Sequence, residues 1–249
     1  MTRQLFDHVA DAYDAYRPSY PPQLFDALES ALGQPLLRAD VLDVGAGTGI
    51  AARALAGRGS YVVAVDPGPK VLAVLRSRST SRVRPVVGDG NALPLREGRF
   101  DLVTYGQSWH WTDPARSLPE AHRVLHERGV LACFWNLLQA DGEDWWDRFA
   151  TTCESLAPGY DRGQRDIDWG AAIEASGLWR WVRQVEIPWT REVPVDDFVA
   201  DYSSHSYVAD LSEADRASVL GDLRDDLRAV YADGTARLPY VTRTWVARK

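Results

Sequence analysis

The run Val41-Leu-Asp-Val-Gly-Ala-Gly-Thr-Gly49 constrains this chain more than any other stretch. Apolar residues that read as a buried strand lead into a turn with glycine at every second position, and a second apolar run, Tyr61 to Asp66, ends on a carboxylate. A strand, a glycine-rich turn, a helix and a second strand ending in an acid make the βαβ unit that holds a nucleoside. Glycine lets the ligand approach the backbone, and the acid accepts hydrogen bonds from ribose hydroxyls. The pattern predicts an adenosine-containing ligand.

The glycines alone leave the ligand open. Gly47-Thr-Gly-Ile-Ala-Ala52 fits G-x-G-x-x-A, the dinucleotide fingerprint, which is a weak signal by itself. Asp43 argues for a different occupant: a carboxylate in the first turn repels a pyrophosphate and suits a ligand carrying an ammonium and a sulfonium. S-adenosylmethionine (SAM) is such a ligand. The alternative is that Asp43 merely caps the turn that follows.

At 249 residues, 45% hydrophobic and 25% charged, the chain has enough surface to bury for one elaborated α/β domain or a core with a small cap. The formal charge of -7 and a pI near 5.3 give no general attraction to nucleic acid or to anionic membranes, so a small-molecule substrate is expected. No stretch approaches the roughly 20 apolar residues of a spanning helix. The N-terminal Met1-Thr-Arg-Gln-Leu-Phe-Asp7 lacks the apolar core of a secretory signal, so a cytoplasmic protein is the expectation. Cys133 and Cys153 have neither the number nor the spacing of a zinc site or disulfide framework, and no metal is expected.

β-rich runs near 40–45, 61–66, 83–87, 101–105 and 130–135 alternate with helical stretches near 49–58, 69–78 and 114–127. That alternation predicts an α/β fold with a doubly wound, mostly parallel sheet and ligands at the carboxyl ends of its strands. Asp113-Pro114 starts a helix that Pro119 is expected to interrupt. Further on, a helix from Asp168 closes at Gly177, strand material at 181–193 is broken by Pro188, and a last strand lies within 237–248. The helix opening at Ser212-Glu-Ala-Asp215 carries Val219, Leu220, Leu223, Leu227, Val230 and Tyr231 on one stripe. That stripe is expected to pack on the chain's own core, a dimer contact being the alternative. The predicted division is 1–135, an N-terminal lid and binding core, and 136–249, the rest of the core with a helical cap inserted at about 194–236. The expected state is a monomer or homodimer.

Beyond the glycine turn, the chain contains V-V-A-V-D-P at 62–67, G-D-G-N-A-L-P-L at 88–95, F-D-L-V at 100–103 and Q-S-W-H-W at 107–111. Together these resemble the class I SAM-dependent methyltransferases, and within them the small-molecule group that includes trans-aconitate methyltransferase-like and ubiquinone/menaquinone-biosynthesis-type enzymes. The resemblance implies a Rossmann-like seven-stranded sheet with an antiparallel last strand, SAM as cofactor and S-adenosylhomocysteine as product. It implies that Gly45, Gly47 and Gly49 approach the methionine portion, Asp43 helps order its amino group, and Asp66 binds the ribose. It further implies that Asp89, Gly90 and Asn91 meet the adenine, and that Gly106 and Gln107 lie near the methionine amine. The segment Arg123-Val-Leu-His-Glu-Arg-Gly129 departs from the group, which commonly has a Pro-Gly-Gly turn there.

The leader Phe6 to Pro21 also matches this group, where the segment folds over the cofactor. The resemblance implies that Arg17 pairs with the methionine carboxylate, a role suited to a guanidinium fork, and that Tyr13 and Tyr20 line the reaction side.

Methyl transfer is an in-line displacement, so positioning and exclusion of water carry much of it, and a base is needed only for some nucleophiles. His110, between Trp109 and Trp111, is the conspicuous titratable group, either as a base or as pocket wall. Trp109, Trp111 and Trp135 are expected to line an aromatic enclosure, with Tyr202, His205 and Tyr207 reading substrate groups. A small-molecule methyltransferase follows, O-methylation of a carboxylate or hydroxyl being preferred to N- or C-methylation. An NAD-dependent oxidoreductase leaves the 88–95 and 107–111 motifs unexplained, and a catalytically silent SAM-binding protein is the third reading.

Overall fold

The computed structural model describes residues 16–157, 160 and 167–249. Its sheet has seven strands in the order β3-β2-β1-β4-β5-β7-β6. These are β1 (Asp40–Val44), β2 (Tyr61–Asp66), β3 (Val83–Val87), β4 (Phe100–Gly106), β5 (Leu125–Leu138), β6 (Trp181–Pro194) and β7 (Thr235–Arg248). β1 pairs in parallel with β2 and β4, β2 with β3, and β4 with β5. Val41, Leu42, Asp43 and Val44 are all buried, as expected where a parallel strand is covered on both faces. The amides of Gln139 and Lys249 bond to the carbonyls of Pro239 and Gly129, a pairing in which one partner's number falls as the other's rises, so β7 runs antiparallel to β5. Val195 with Gly234 and Arg180 with Arg248 give the same sense against β6.

Crossover helices α2 (Ile50–Gly57), α3 (Pro69–Arg78) and α4 (Pro114–Val124) join the parallel strands, and α1 (Pro22–Leu32) precedes β1. The connections wind one way from β1 to β2 and the other way to β4. The carboxyl ends of β1 and β4 therefore form the switch point where open α/β sheets bind ligands.

The described residues divide into two compact units. One contains Ser19–Asn136, Asp168–Ile187 and Thr242–Lys249, with a core that includes Leu28, Val41, Leu55, Leu102 and Val130. This nucleotide-motif unit also holds α6 (Trp169–Ala175). The other takes the described residues of Met1–Pro18, Leu137–Ile167 and Pro188–Val241. Its helices are α5 (Asp144–Leu156), α7 (Val195–Ser203), α8 (Ser206–Ala209) and α9 (Glu213–Val230). Its core joins Trp145, Phe149 and Phe198 to Val219, Leu223 and Leu227 of the expected stripe, while Val230 stays exposed. The Ser212 hydroxyl caps α9 by accepting the Asp215 amide at 3.1 Å.

Three expectations about elements change. Pro119 lies inside a continuous α4. The Asp113 carboxylate caps that helix at the Ala115 amide, and buried Leu118, Ala121 and Val124 offset the roughly 3 kcal/mol that an interior proline costs. The helix ends at Val124, and β5 starts at once on Leu125. Pro188 does not break β6, which is the edge strand of the sheet, where proline is tolerated.

Candidate functional site

The three glycines of the turn are required for three different reasons. All have positive φ, at +68° for Gly45, +55° for Gly47 and +92° for Gly49. A Cβ on Gly45 would meet the Ser108 Cβ at 2.5 Å, and one on Gly49 would meet Leu75 of α3 at 2.7 Å. Gly45 therefore lets the loop after β4 close on the turn, and Gly49 lets α2 pack. A Cβ on Gly47 would meet nothing within 4 Å. Its face is open, as a surface approached by a ligand has to be.

Asp66, at the end of β2, ties this turn to the next. Its Oδ2 accepts the Gly47 amide at 2.9 Å and its Oδ1 accepts the Gly68 amide at 2.7 Å.

Asp43 is 1% exposed. Its Oδ1 accepts the Thr104 hydroxyl at 2.8 Å. Burial pushes its pKa up to about 7, the Thr104 hydrogen bond lowers it, and the neighbouring charge of Asp66 adds to the rise.

Two further loops meet the turn. After β3, Asp89 Oδ1 accepts both the amide and the side-chain Nδ2 of Asn91, whose own Oδ1 accepts the Asp113 amide at 2.8 Å. Gly90 lies where a Cβ would meet Val44 at 2.9 Å. After β4, Gly106 leaves room for Phe134 and the Tyr20 hydroxyl, and Gln107 is held at φ +56°, a conformation rare outside glycine. Its amide donates to the Phe134 carbonyl at 2.9 Å, and the Ser108 hydroxyl donates to the Val44 carbonyl at 2.6 Å. Asn136 braces the same loop, reaching Gln107, Ser19 and Thr242.

The next residues form a short 3₁₀ turn, Trp109–Trp111. Trp109 is core: it is 1% exposed, and its indole donates to the Ser117 hydroxyl at 3.0 Å. Trp111 is 58% exposed. His110 accepts at Nδ1 from the Trp135 indole at 3.2 Å. Burial pushes its pKa down to about 4.

Residues 42–133 match the family described as "Methyltransferase domain". The chain is 44% identical over 131 residues to an uncharacterized methyltransferase of Mycobacterium tuberculosis, covering 53% of this chain and 51% of that one. It is 35% identical over 136 residues to a malonyl-[acyl-carrier protein] O-methyltransferase of Geobacter sulfurreducens, covering 52% and 51%. The chain thus spans about half the length of these curated relatives. A structure named as that of a candidate type II methyltransferase from Anaeromyxobacter dehalogenans matches with a TM-score of 0.70 at 22% identity, over 94% of this chain and 97% of that one. Residues 42–133 thus form a methyltransferase domain similar to those of the S-adenosylmethionine-dependent methyltransferases, and the chain shares its fold with a solved methyltransferase.

Of the residues that the family resemblance singled out, the nucleotide-motif unit gathers Tyr20, Asp43, Gly45, Gly47, Gly49, Asp66, Asp89, Gly90, Asn91, Gly106 and Gln107 around the carboxyl ends of β1 to β4. His110, Trp109, Trp111 and Trp135 belong to the same unit. Arg17, Tyr202, His205 and Tyr207 belong to the other. There Arg17 Nε lies 3.2 Å from Asp201 Oδ1, Arg191 Nη1 donates to Asp201 Oδ2 at 2.6 Å, and Arg191 Nη2 donates to the Tyr16 carbonyl. Tyr202 is buried, with its ring stacked on His205 at 4.6 Å. Tyr13 lies outside the described residues.

Sequence reasoning missed Thr104, Ser108, Asn136, Trp169 and the Arg191–Asp201 pair. Thr104 and Ser108 carry a faint signal, since polar residues in and just after a fully buried strand need partners. The others depend on contacts that join distant parts of the chain.

Proposed function

We propose that this chain transfers the methyl group of SAM to a small-molecule acceptor, most readily to an oxygen of a carboxylate or hydroxyl. The observation that carries the reading is the open face of Gly47 beside a doubly anchored Asp66. A glycine that nothing crowds, next to a carboxylate at the end of the second strand, is a cradle for a ribose and its substituents. Asp66 would hold the ribose hydroxyls, and Gly45, Gly47 and Gly49 would admit the methionine portion. Asp89 and Asn91 would frame the adenine, and Gly106 and Gln107 would lie by the methionine amine. The ligand supplies an electrophilic methyl on a sulfonium; this chain's residues bind it, orient it and exclude water.

Asp43 fits the same occupant. A buried carboxyl poised near neutrality favours a positively charged ligand nearby over a pyrophosphate. Calorimetric titration with SAM and with NADH, followed by methyl release from SAM in the presence of candidate acceptors, tests the reading. Heat with NADH and none with SAM would overturn it.

A further inference from the structure

We propose that His110 is a fixed hydrogen-bond donor to an ionised oxygen acceptor, presenting Nε2–H to a carboxylate, and is not a general base. The inference rests on the methyl-transfer reading above and narrows its acceptor to carboxylates.

The tautomer follows from its partner. An indole N–H can only donate, and the Trp135 indole points at His110 Nδ1 from 3.2 Å. Nδ1 must therefore carry the lone pair, and the proton of the neutral ring resides on Nε2. Trp135 is itself held in place: it stacks on Trp169 with ring centroids 5.3 Å apart and planes 9° from parallel, and meets the edge of Trp245 at 5.6 Å. Rotating the indole away would disrupt both contacts.

The charge state points the same way. Burial lowers the imidazole pKa to about 4, and no charged neighbour opposes it. Around neutral pH the ring is neutral, with Nδ1 engaged by Trp135 and Nε2 already protonated. Nε2 makes no hydrogen bond to another described residue. The ring sits two residues after Ser108, which packs against Gly45 of the proposed cofactor turn. A donor free to act at that place is suited to recognition, and it cannot remove a proton through Nε2.

A hydroxyl acceptor has a proton to lose, whereas a carboxylate has none. One carboxylate oxygen would accept the Nε2–H while the other forms the new bond to the methyl carbon. As the C–O bond forms, the C–S bond breaks and its electron pair stays on sulfur. Sulfonium becomes neutral thioether, carboxylate becomes neutral methyl ester, and no proton moves. A hydrogen bond to a charged group is worth enough that removing the donor should reduce acceptor-dependent turnover by roughly 10- to 100-fold.

The direct test is ¹H–¹⁵N NMR of the full chain labelled at histidine, with His110→Gln used to assign the signal. The expected spectrum at pH 6 to 8 has the proton on Nε2 and a bare Nδ1. The Nε2–H signal should move on adding succinate, benzoate or octanoate, and not with butane-1,4-diol, benzyl alcohol or octanol. In turnover, His110→Gln keeps a donor at a similar place and should recover most of what His110→Ala loses. A proton on Nδ1, a cationic ring in that pH range, silence toward all three carboxylates, or Gln as damaging as Ala would each overturn the inference. Absence of SAM binding by calorimetry would instead remove the methyl-transfer reading, whatever the tautomer.

Discussion

The Gly47 amide donates to Asp66 Oδ2 at 2.9 Å, so the residue with the open face and the acid at the end of β2 are one unit. The glycine turn is thereby held in shape by the group proposed to bind the ribose. Loss of a charge-assisted hydrogen bond costs about 1.5 to 3 kcal/mol. Asp66→Ala should therefore weaken SAM binding by roughly 10- to 100-fold, read by calorimetry on a variant whose circular dichroism is native. Undiminished affinity would remove Asp66 from the site.

Gly45 and Gly47 should respond differently to alanine. Both positions have positive φ, which costs roughly 1 to 2 kcal/mol for a residue with a Cβ. At Gly45 the methyl also collides with Ser108, whereas at Gly47 it enters empty space. Gly45→Ala should lower Tm the more. Gly47→Ala should keep more of the stability and lose SAM affinity, because its methyl occupies the face that the ligand approaches. Thermal scans and titrations on both variants give the comparison, and equal behaviour in both would contradict it.

Asp43 should make stability depend on pH with a definite sign. Its folded pKa of about 7 lies above the ordinary 3.8, so between those values the folded chain holds a proton that the unfolded chain has released. Its contribution is fully present below about pH 3.8 and is lost as pH rises through about 7. Asp43→Asn keeps an acceptor for the Thr104 hydroxyl and has no charge to bury. The variant should gain Tm relative to the parent at pH 8 and converge with it at pH 4, each kcal/mol being worth roughly 2 to 4 °C. A difference that does not vary with pH would show that Asp43 is ionised throughout.

The opposite sign applies to His110. Its pKa of about 4 lies below the ordinary 6.5, so its stabilising contribution is present above pH 6.5 and is lost as pH falls through about 4. The pH-rate profile should show no limb near pH 6.5 that belongs to this ring, and His110→Gln should leave the shape between pH 5 and 8 intact. A limb near 6.5 that vanishes in the variant would restore the base.

Asp201 and Arg191 are both buried, and Arg17 stands on the other oxygen of Asp201. Removing one member of a buried pair costs about 3 to 5 kcal/mol, because the remaining charge is stranded. Asp201→Asn should lower the urea midpoint accordingly. An Arg191→Met/Asp201→Leu double variant should recover part of the loss, and Arg17 limits how much.

What could be read from the sequence divides along physical lines. β1, the glycine turn and Asp66 are local patterns whose spacing is set by backbone geometry, so their placement was legible. The doubly wound order followed from the alternation of strands and helices. Trp109 was read as pocket wall and is core, because its burial and its Ser117 partner appear only once α4 folds back on the turn. The Trp135 indole on His110 depends on pairing β5 beside β4, and it reverses the chemistry that a lone histidine between tryptophans suggests. Pro119 was a sound local warning, outweighed by the apolar face that α4 buries.

Occupation of the turn at Gly47 and Asp66 by SAM is decided by calorimetric titration of the full chain with SAM and with NADH, repeated on Asp66→Ala. Saturable binding of SAM, weakened roughly 10- to 100-fold in the variant, and no heat with NADH are expected. Binding of NADH without SAM, or SAM binding that Asp66→Ala leaves unchanged, would contradict it.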